Sequence, residues 1–227
     1  MLPIGDDRVQ GGPAPVVTYG LIALNVVAFL IELTQPSEGA LQSFIQAWGV
    51  VPREYSVARD LPPTIPLPFW STLFTSMFLH GGWMHLGGNM LYLWIFGDNL
   101  EKVMGNVRFL IFYLVCGLAA SFAHIFFGPG SNIPAVGASG AISGVLGGYL
   151  LPFPRNSVRV LTRGGIAHVP AIFVLGFWIV IQMINGIGSM AATTETAGVA
   201  YMAHIGGFVA GLALVKLMVP QRRAAFA

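Results

Sequence analysis

Residues 198–219 read GVAYMAHIGGFVAGLALVKLMV, a stretch whose only Asp, Glu, Lys or Arg side chain is Lys216. A helix that crosses the hydrocarbon core of a bilayer needs about 20 mostly apolar residues. The stretch is therefore a predicted membrane span. It also contains His204, and an ionisable side chain inside a span is costly enough to suggest a function.

The composition of the whole chain is typical of a membrane protein. Of its 227 residues, 55% are hydrophobic and 9% are charged, whereas an ordinary soluble domain carries about 25% charged residues. The net charge of +2 is small and the basic residues are scattered, so no nucleic-acid partner is indicated. A single cysteine, Cys116, excludes an intramolecular disulfide and a multi-cysteine metal site.

Five further apolar stretches precede residues 198–219, and the fourth of the six is the shortest. It is rich in glycine and ends at Pro152 and Pro154, because proline cannot continue a helix. The predicted fold is an all-α membrane protein, a bundle of six transmembrane helices with a short, glycine-rich fourth helix. The other predicted spans are 16–34, 84–104, 106–127, 138–153 and 167–187.

The distribution of basic residues predicts the orientation of the bundle. With the N-terminus in the cytoplasm, nine of the eleven Lys and Arg residues fall on the cytoplasmic side. We therefore expect a cytoplasmic tail over residues 1–15, a membrane domain over 16–219 with a long outer loop at about 35–83, and a cytoplasmic tail over 220–227. The N-terminal tail is unlike a cleavable signal peptide, and the short tails suit the inner membrane of a prokaryote.

Four polar residues lie where apolar ones are expected. His85 and Asn89 belong to the second span, Ser139 begins the fourth, and His204 lies in the sixth. The predicted orientation brings all four to a similar depth near the outer face. His85 and Asn89 are four residues apart and share one face of a helix.

Glycines beside two of these residues predict which helices touch. Gly140 and Gly144 follow Ser139, whereas Gly207 and Gly211 follow His204. Small residues at this spacing allow two membrane helices to approach closely. Contact between the fourth and sixth spans would bring a serine hydroxyl and an imidazole within hydrogen-bonding distance.

This arrangement fits nucleophilic catalysis. Neutral imidazole is the usual base that activates a serine hydroxyl. The backbone N–H of Ser139 and the side chains of Asn89 and His85 would then stabilise the oxyanion. Asp98 is thirteen residues from His85, or about 20 Å along a helix, so a Ser139–His204 dyad is expected instead of a triad with a carboxylate.

Three motifs in this order resemble those of the rhomboid family of intramembrane serine proteases: HGGWMHLGGN at 80–89, GASG at 137–140 and AHIGGFVAG at 203–211. The resemblance implies a six-helix core, Ser139 and His204 as the catalytic dyad, and Asn89 and His85 near the oxyanion. It also places His80 nearby in the outer loop, and we assign Gly137, Gly140 and His80 to substrate binding. It also implies single-span membrane proteins as substrates, cut near the outer end of a locally unstable helix. We expect membrane lipid as a further partner and no cofactor.

The chain departs from the family pattern at two places. Many members have an aromatic residue four positions after the serine, where this chain has Ser143, which we assign to packing. Another side chain must then orient His204, and Tyr201 is a candidate. In the long outer loop, Trp70 is followed by Ser71 instead of the arginine of many members.

Two other functions remain open from the sequence. An inactive relative could bind membrane clients without cutting them, and a His-based transporter could carry protons or a metal ion. The spacing of five between His80 and His85 does not place two ligands on one helix face, and we expect no metal site. For the protease, we expect a loop at about 186–198 to cap the site and the fifth span to move aside for the substrate. The oligomeric state is left open.

Overall fold

A computed structural model describes residues 2–191 and 201–219 of the chain. Most of the predicted capping loop at about 186–198, and the whole predicted tail at 220–227, lie outside these residues. The described part is mostly helical, as predicted. A short sheet, however, makes the prediction of an all-α chain wrong in that respect.

Helices occur in each of the six apolar stretches and also in the long loop between the first two. In the loop, the helix at Thr72–Thr75 is flanked by 3₁₀ turns at Phe69–Ser71 and Ser76–Phe78. A π-helical turn at Leu93–Gly97 joins the helix at Trp83–Tyr92 to the one at Asp98–Met104. The helices are α1 (Val16–Glu32), α2 (Glu38–Trp48), α3 (Pro52–Ser56), α4 (Thr72–Thr75), α5 (Trp83–Tyr92), α6 (Asp98–Met104), α7 (Asn106–Phe127), α8 (Ser139–Leu150), α9 (Ala171–Ala191) and α10 (Tyr201–Met218).

Three segments in the described part are long and apolar enough to cross a membrane: Asn106–Phe127, Ala171–Gly188 and Tyr201–Met218. The shorter helix α1 is also apolar. Large apolar side chains such as Phe126 and Leu217 are exposed on these helices, as expected where lipid replaces water as the solvent. The chain is an integral membrane protein with several apolar helices, whereas the count of six spans stays a prediction.

Three antiparallel strands, β1 (Leu2–Asp6), β2 (Ser157–Thr162) and β3 (Gly165–Pro170), form the sheet in the order β1-β2-β3. Val158 and Val160 point inwards because side chains alternate along a strand. Residues 2–6 of the predicted tail are thus part of the fold. The fifth predicted span started too early at 167, because residues 167–170 belong to β3 and α9 begins at Ala171.

Beside the sheet, buried carboxylates hold the N-terminal segment and α1. Asp6 accepts hydrogen bonds from Asn99 (2.8 Å) and from the hydroxyl of Tyr149. Burial raises the pKa of Asp6 to about 6. Glu101 accepts hydrogen bonds from the backbone N–H groups of Val17 (2.9 Å) and Thr18 (2.7 Å) and from the Thr18 hydroxyl (2.7 Å), which satisfies donors at the start of α1.

Helix α8 lies against α7 and α10, and its glycines determine how closely. A Cβ atom on Gly207 would collide with the carbonyl oxygen of Gly140, and one on Gly211 with that of Gly144. A Cβ atom on Gly147 would collide with the carbonyl oxygen of Phe208. The backbones of α8 and α10 therefore touch along the two glycine stripes that the sequence analysis paired.

Candidate active site

Ser139 is the first residue of α8, and the chain reaches it through a turn that requires glycine. Gly137 has a φ of +117°, which disfavours any other residue, and its N–H donates to the carbonyl oxygen of Ser76 at 2.8 Å. The backbone N–H groups of the first helical turn have no carbonyl partner within the helix. The Ser139 hydroxyl is thus held at the positive end of the α8 dipole.

The hydroxyl of Ser139 and the imidazole of His204 meet across the contact between α8 and α10. The distance from Ser139 Oγ to His204 Nε2 is 2.8 Å, a normal hydrogen-bond length. Both residues are half-buried. The structure therefore brings together the alcohol and the base that the sequence analysis paired.

Helix α9 supplies the other contacts of the His204 ring. His204 Nδ1 lies 2.8 Å from Gln182 Oε1, and the ring of Trp178 lies at a centroid distance of 5.9 Å, tilted by 41°. Trp178 and Gln182 are four residues apart and share one face of α9. Tyr201, the candidate from the sequence analysis, has its Cβ 3.4 Å from the position of a Cβ on Gly186, so it packs beside α9.

His85 lies beside the turn that leads to Ser139. Its Nδ1 accepts a hydrogen bond from the backbone N–H of Gly81 at 3.3 Å, which leaves the proton of a neutral ring on Nε2. A Cβ atom on Gly137 would lie 2.8 Å from His85 Nε2. His85 therefore presents an N–H donor beside the backbone just before the serine.

Asn89 is held by His80, and His80 by Glu32. The amide nitrogen of Asn89 lies 3.0 Å from His80 Nε2, and the carbonyl oxygen of Phe78 is 3.2 Å from His80 Nδ1. Glu32, at the end of α1, accepts from the backbone N–H of His80 at 2.9 Å. His80 is almost fully buried and contacts the side chain of Asn89, and its assignment to substrate binding stays a prediction.

Gly140 and Ser143 both lie in the packing of α8. A Cβ atom on Gly140 would lie 2.6 Å from the Cβ of Ala120 on α7, so this side of Gly140 faces α7, and its assignment to substrate binding stays a prediction. The Ser143 hydroxyl donates to the carbonyl oxygen of Ser139 at 2.6 Å. This bond to the preceding turn is the usual role of a serine in a membrane helix.

Gln182 and Glu32 were not predicted as site residues, although each is a polar residue inside a predicted span. Neither belongs to one of the three motifs, and that is why neither was singled out. Among the described residues, no group of three or more His, Cys, Asp or Glu side chains is arranged to hold a metal ion.

Known proteins with similar sequences identify the family of this chain. The Rhomboid domain family matches residues 68–221, which is more than half of the chain. The chain is 33% identical over 199 residues to the rhomboid protease GluP of Bacillus subtilis, an alignment that covers 87% of this chain and 34% of that protein. It is 34% identical over 151 residues to RHOMBOID-like protein 6, mitochondrial, of Arabidopsis thaliana, covering 66% of this chain and 44% of the relative.

A third relative is Rhomboid protein 1, mitochondrial, of Saccharomyces cerevisiae, which is 25% identical over 201 residues, covering 86% of this chain and 51% of the relative. The alignments thus span about a third to a half of the length of these relatives. The architecture and the site are those of a membrane helical bundle with a serine and a histidine in contact. The chain belongs to the rhomboid family, which confirms the resemblance found in the sequence.

Proposed function

We propose that this protein is an intramembrane serine endopeptidase that cuts single-span membrane proteins near the outer membrane face. The observation that carries the proposal is the 2.8 Å contact between Ser139 Oγ and His204 Nε2. Two relatives are named rhomboid proteases or rhomboid proteins, which supports the same activity here. The proposed location is the inner membrane of a prokaryote, with both termini in the cytoplasm.

In the proposed reaction, His204 Nε2 takes the proton of the Ser139 hydroxyl as the oxygen attacks the scissile carbonyl carbon. The tetrahedral intermediate collapses when the imidazolium donates this proton to the leaving amine. A water molecule, deprotonated by the same nitrogen, then attacks the acyl carbon. The imidazolium returns this proton to Ser139 Oγ as the ester bond breaks, which releases the new carboxyl terminus and restores the neutral ring.

The developing oxyanion is stabilised by donors on the α5 side of Ser139. The backbone N–H of Ser139 lies at the start of α8, and His85 Nε2–H lies beside Gly137. The amide nitrogen of Asn89 is 3.4 Å from the position of a Cβ on Gly137. Donors that are already in place stabilise the charge without reorganising during the reaction.

The substrate helix enters, in this proposal, beside α9. In the most apolar 18-residue stretch of α9, only 17% is buried inside the protein, compared with 39% in α7 and 28% in α10. A helix with little buried surface can be displaced at lower cost than one in the core. In this proposal α9 moves aside only while the substrate enters and returns before the bond is cut, because its Gln182 contacts His204. Cross-linking α5 to α9 should then slow cleavage of a membrane substrate, and no change in rate would contradict entry at this side.

The test is cleavage of a single-span reporter protein in proteoliposomes. Ser139→Ala and His204→Ala should each abolish cleavage while the thermal unfolding of the protein stays close to that of the parent. Ser143→Ala is the matched control, because Ser143 lies one turn further along α8 and its hydroxyl donates to the helix backbone, at the carbonyl oxygen of Ser139. It should keep most of the activity.

A fluorophosphonate probe gives an independent readout, since it labels an activated serine without any substrate. Labelling should occur in the parent and in Ser143→Ala and be absent from Ser139→Ala. A Ser139→Ala protein that still cuts, or that is still labelled, would show that Ser139 is not the nucleophile.

A further inference from the structure

Gln182 contacts the second nitrogen of the His204 ring, Nδ1, and belongs to none of the three sequence motifs. Its Oε1 lies 2.8 Å from His204 Nδ1, while Nε2 of the same ring lies 2.8 Å from Ser139 Oγ. The three side chains therefore form a hydrogen-bonded chain from α9 through α10 to α8. Gln182 is half-buried and lies on the same side of α9 as Trp178, which packs against the ring.

We propose that Gln182 is a positioning residue that holds His204 in the tautomer and orientation needed to deprotonate Ser139. This inference rests on the proposed function. A neutral imidazole carries one proton, and only the ring nitrogen without it can act as the base. When the amide oxygen of Gln182 accepts from Nδ1–H, the lone pair is on Nε2, which faces the serine.

The opposite tautomer would be inactive in this geometry. It carries the proton on Nε2, so the ring would donate to Ser139 Oγ and could not take its proton. It would also leave an unprotonated Nδ1 facing the Gln182 oxygen, and two acceptors in contact repel each other. With the amide in the orientation of this structure, its oxygen towards the ring, Gln182 favours the tautomer in which His204 is a base, as the third member of a serine protease triad does.

A neutral amide can hold the ring but cannot stabilise the imidazolium as a carboxylate does. Two substitutions separate these effects. Gln182→Leu removes the acceptor and keeps a side chain of similar size, whereas Gln182→Glu keeps the acceptor and adds a negative charge. Asn185→Leu is the matched control, because Asn185 is an exposed amide on the same helix, outside the site.

The experiment is the rate of reporter cleavage in proteoliposomes from pH 5 to pH 9, measured for the parent and the three variants. We expect Gln182→Leu to lower kcat by about tenfold, the factor of one neutral hydrogen bond, with little change in KM. In Gln182→Glu, kcat should be largely retained, and the acidic limb of the rate profile should move to higher pH because the charge favours the imidazolium. Asn185→Leu should match the parent.

Three results would overturn the inference: a kcat for Gln182→Leu equal to that of the parent, an equal loss in Asn185→Leu, or no shift of the acidic limb in Gln182→Glu. A packing defect alone would lower the thermal midpoint and would not move the acidic limb. If the parent cuts the reporter and Ser139→Ala does not, these three results would refute the role of Gln182 and leave the proposed function standing. Cleavage that survives in Ser139→Ala would count against the proposed function itself.

Discussion

The two ends of the helical bundle both bury polar groups, but they use them differently. At the sheet end, defined by Asp6, Thr18, Asn99, Glu101 and Tyr149, each carboxylate accepts several hydrogen bonds from fixed donors. The site end is defined by Asn89, Ser139, Gln182 and His204. Here the hydrogen bonds form a chain from Gln182 through His204 that ends at the half-buried hydroxyl of Ser139.

The difference shows how one bundle can be stable and reactive. A carboxylate surrounded by donors is a rigid anchor, since breaking any of its bonds leaves a buried group unsatisfied. A hydroxyl at the end of a chain can lose its proton to the next member of that chain. We therefore expect substitutions at the sheet end to change stability and those at the site end to change the rate of cleavage.

The largest effect is expected for Glu101→Ala at the sheet end. The substitution leaves three donors of Val17 and Thr18 without their acceptor, and each such loss costs about 1–3 kcal/mol. The free energy of unfolding in detergent should fall by at least about 3 kcal/mol. The control is Glu38→Ala, which removes an exposed acid at the first turn of α2. If the two variants had the same free energy of unfolding, Glu101 would not anchor α1.

At the site end, Asn89→Ala should lower kcat by about a hundredfold, the scale for one oxyanion donor. The free energy of unfolding should fall by only about 1 kcal/mol, because His80 loses one hydrogen-bond partner. Met84→Ala, at the most exposed apolar side chain of α5, is the control for both measurements. An unchanged kcat would remove Asn89 from the site and weaken the contrast between the two ends.

Gly211→Ala tests the contact that joins α8 to α10 between these ends. The added Cβ would collide with the carbonyl oxygen of Gly144, and overpacking of this kind costs about 2 kcal/mol. Gly20→Ala is the matched control, because nothing lies within 4 Å of a Cβ at that position of α1. It should stabilise the protein by about 0.5 kcal/mol. Effects of the same sign in both variants, measured by thermal unfolding, would argue against a backbone contact at Gly211.

The sequence predicted the helical part of the fold and the pairing of Ser139 with His204, because both follow from local patterns. Apolar length predicts a helix in a membrane, and glycine spacing predicts a close approach. The sheet was missed since the hydropathy of residues 165–170 runs on into α9 and does not distinguish a strand from a helix. Gln182 was missed for a different reason: a lone amide in an apolar stretch has no meaning until the tertiary structure shows which ring it faces.

The smallest effect concerns the pH dependence of stability at the sheet end. Burial raises the pKa of Asp6 from 3.8 to about 6, and the nearby Asp98 and Asp7 carboxylates act in the same direction, against the hydrogen bonds from Tyr149 and Asn99. The folded state therefore holds this proton more tightly than the unfolded state. The contribution to stability is fully present below pH 3.8 and is lost as the pH rises through about 6.

Between pH 5 and pH 7, Asp6 should thus lower the free energy of unfolding by about 1 kcal/mol as the pH rises. Asp6→Asn keeps an acceptor for Tyr149 and cannot titrate, so its unfolding midpoint should change less over this interval than that of the parent. Glu38→Gln, at an exposed acid on α2 that does not act on Asp6, is the control and should follow the parent. Parallel curves for Asp6→Asn and the parent would mean that Asp6 is solvated in the folded protein. The sheet end would then lack the rigid, dry surroundings that distinguish it from the site end.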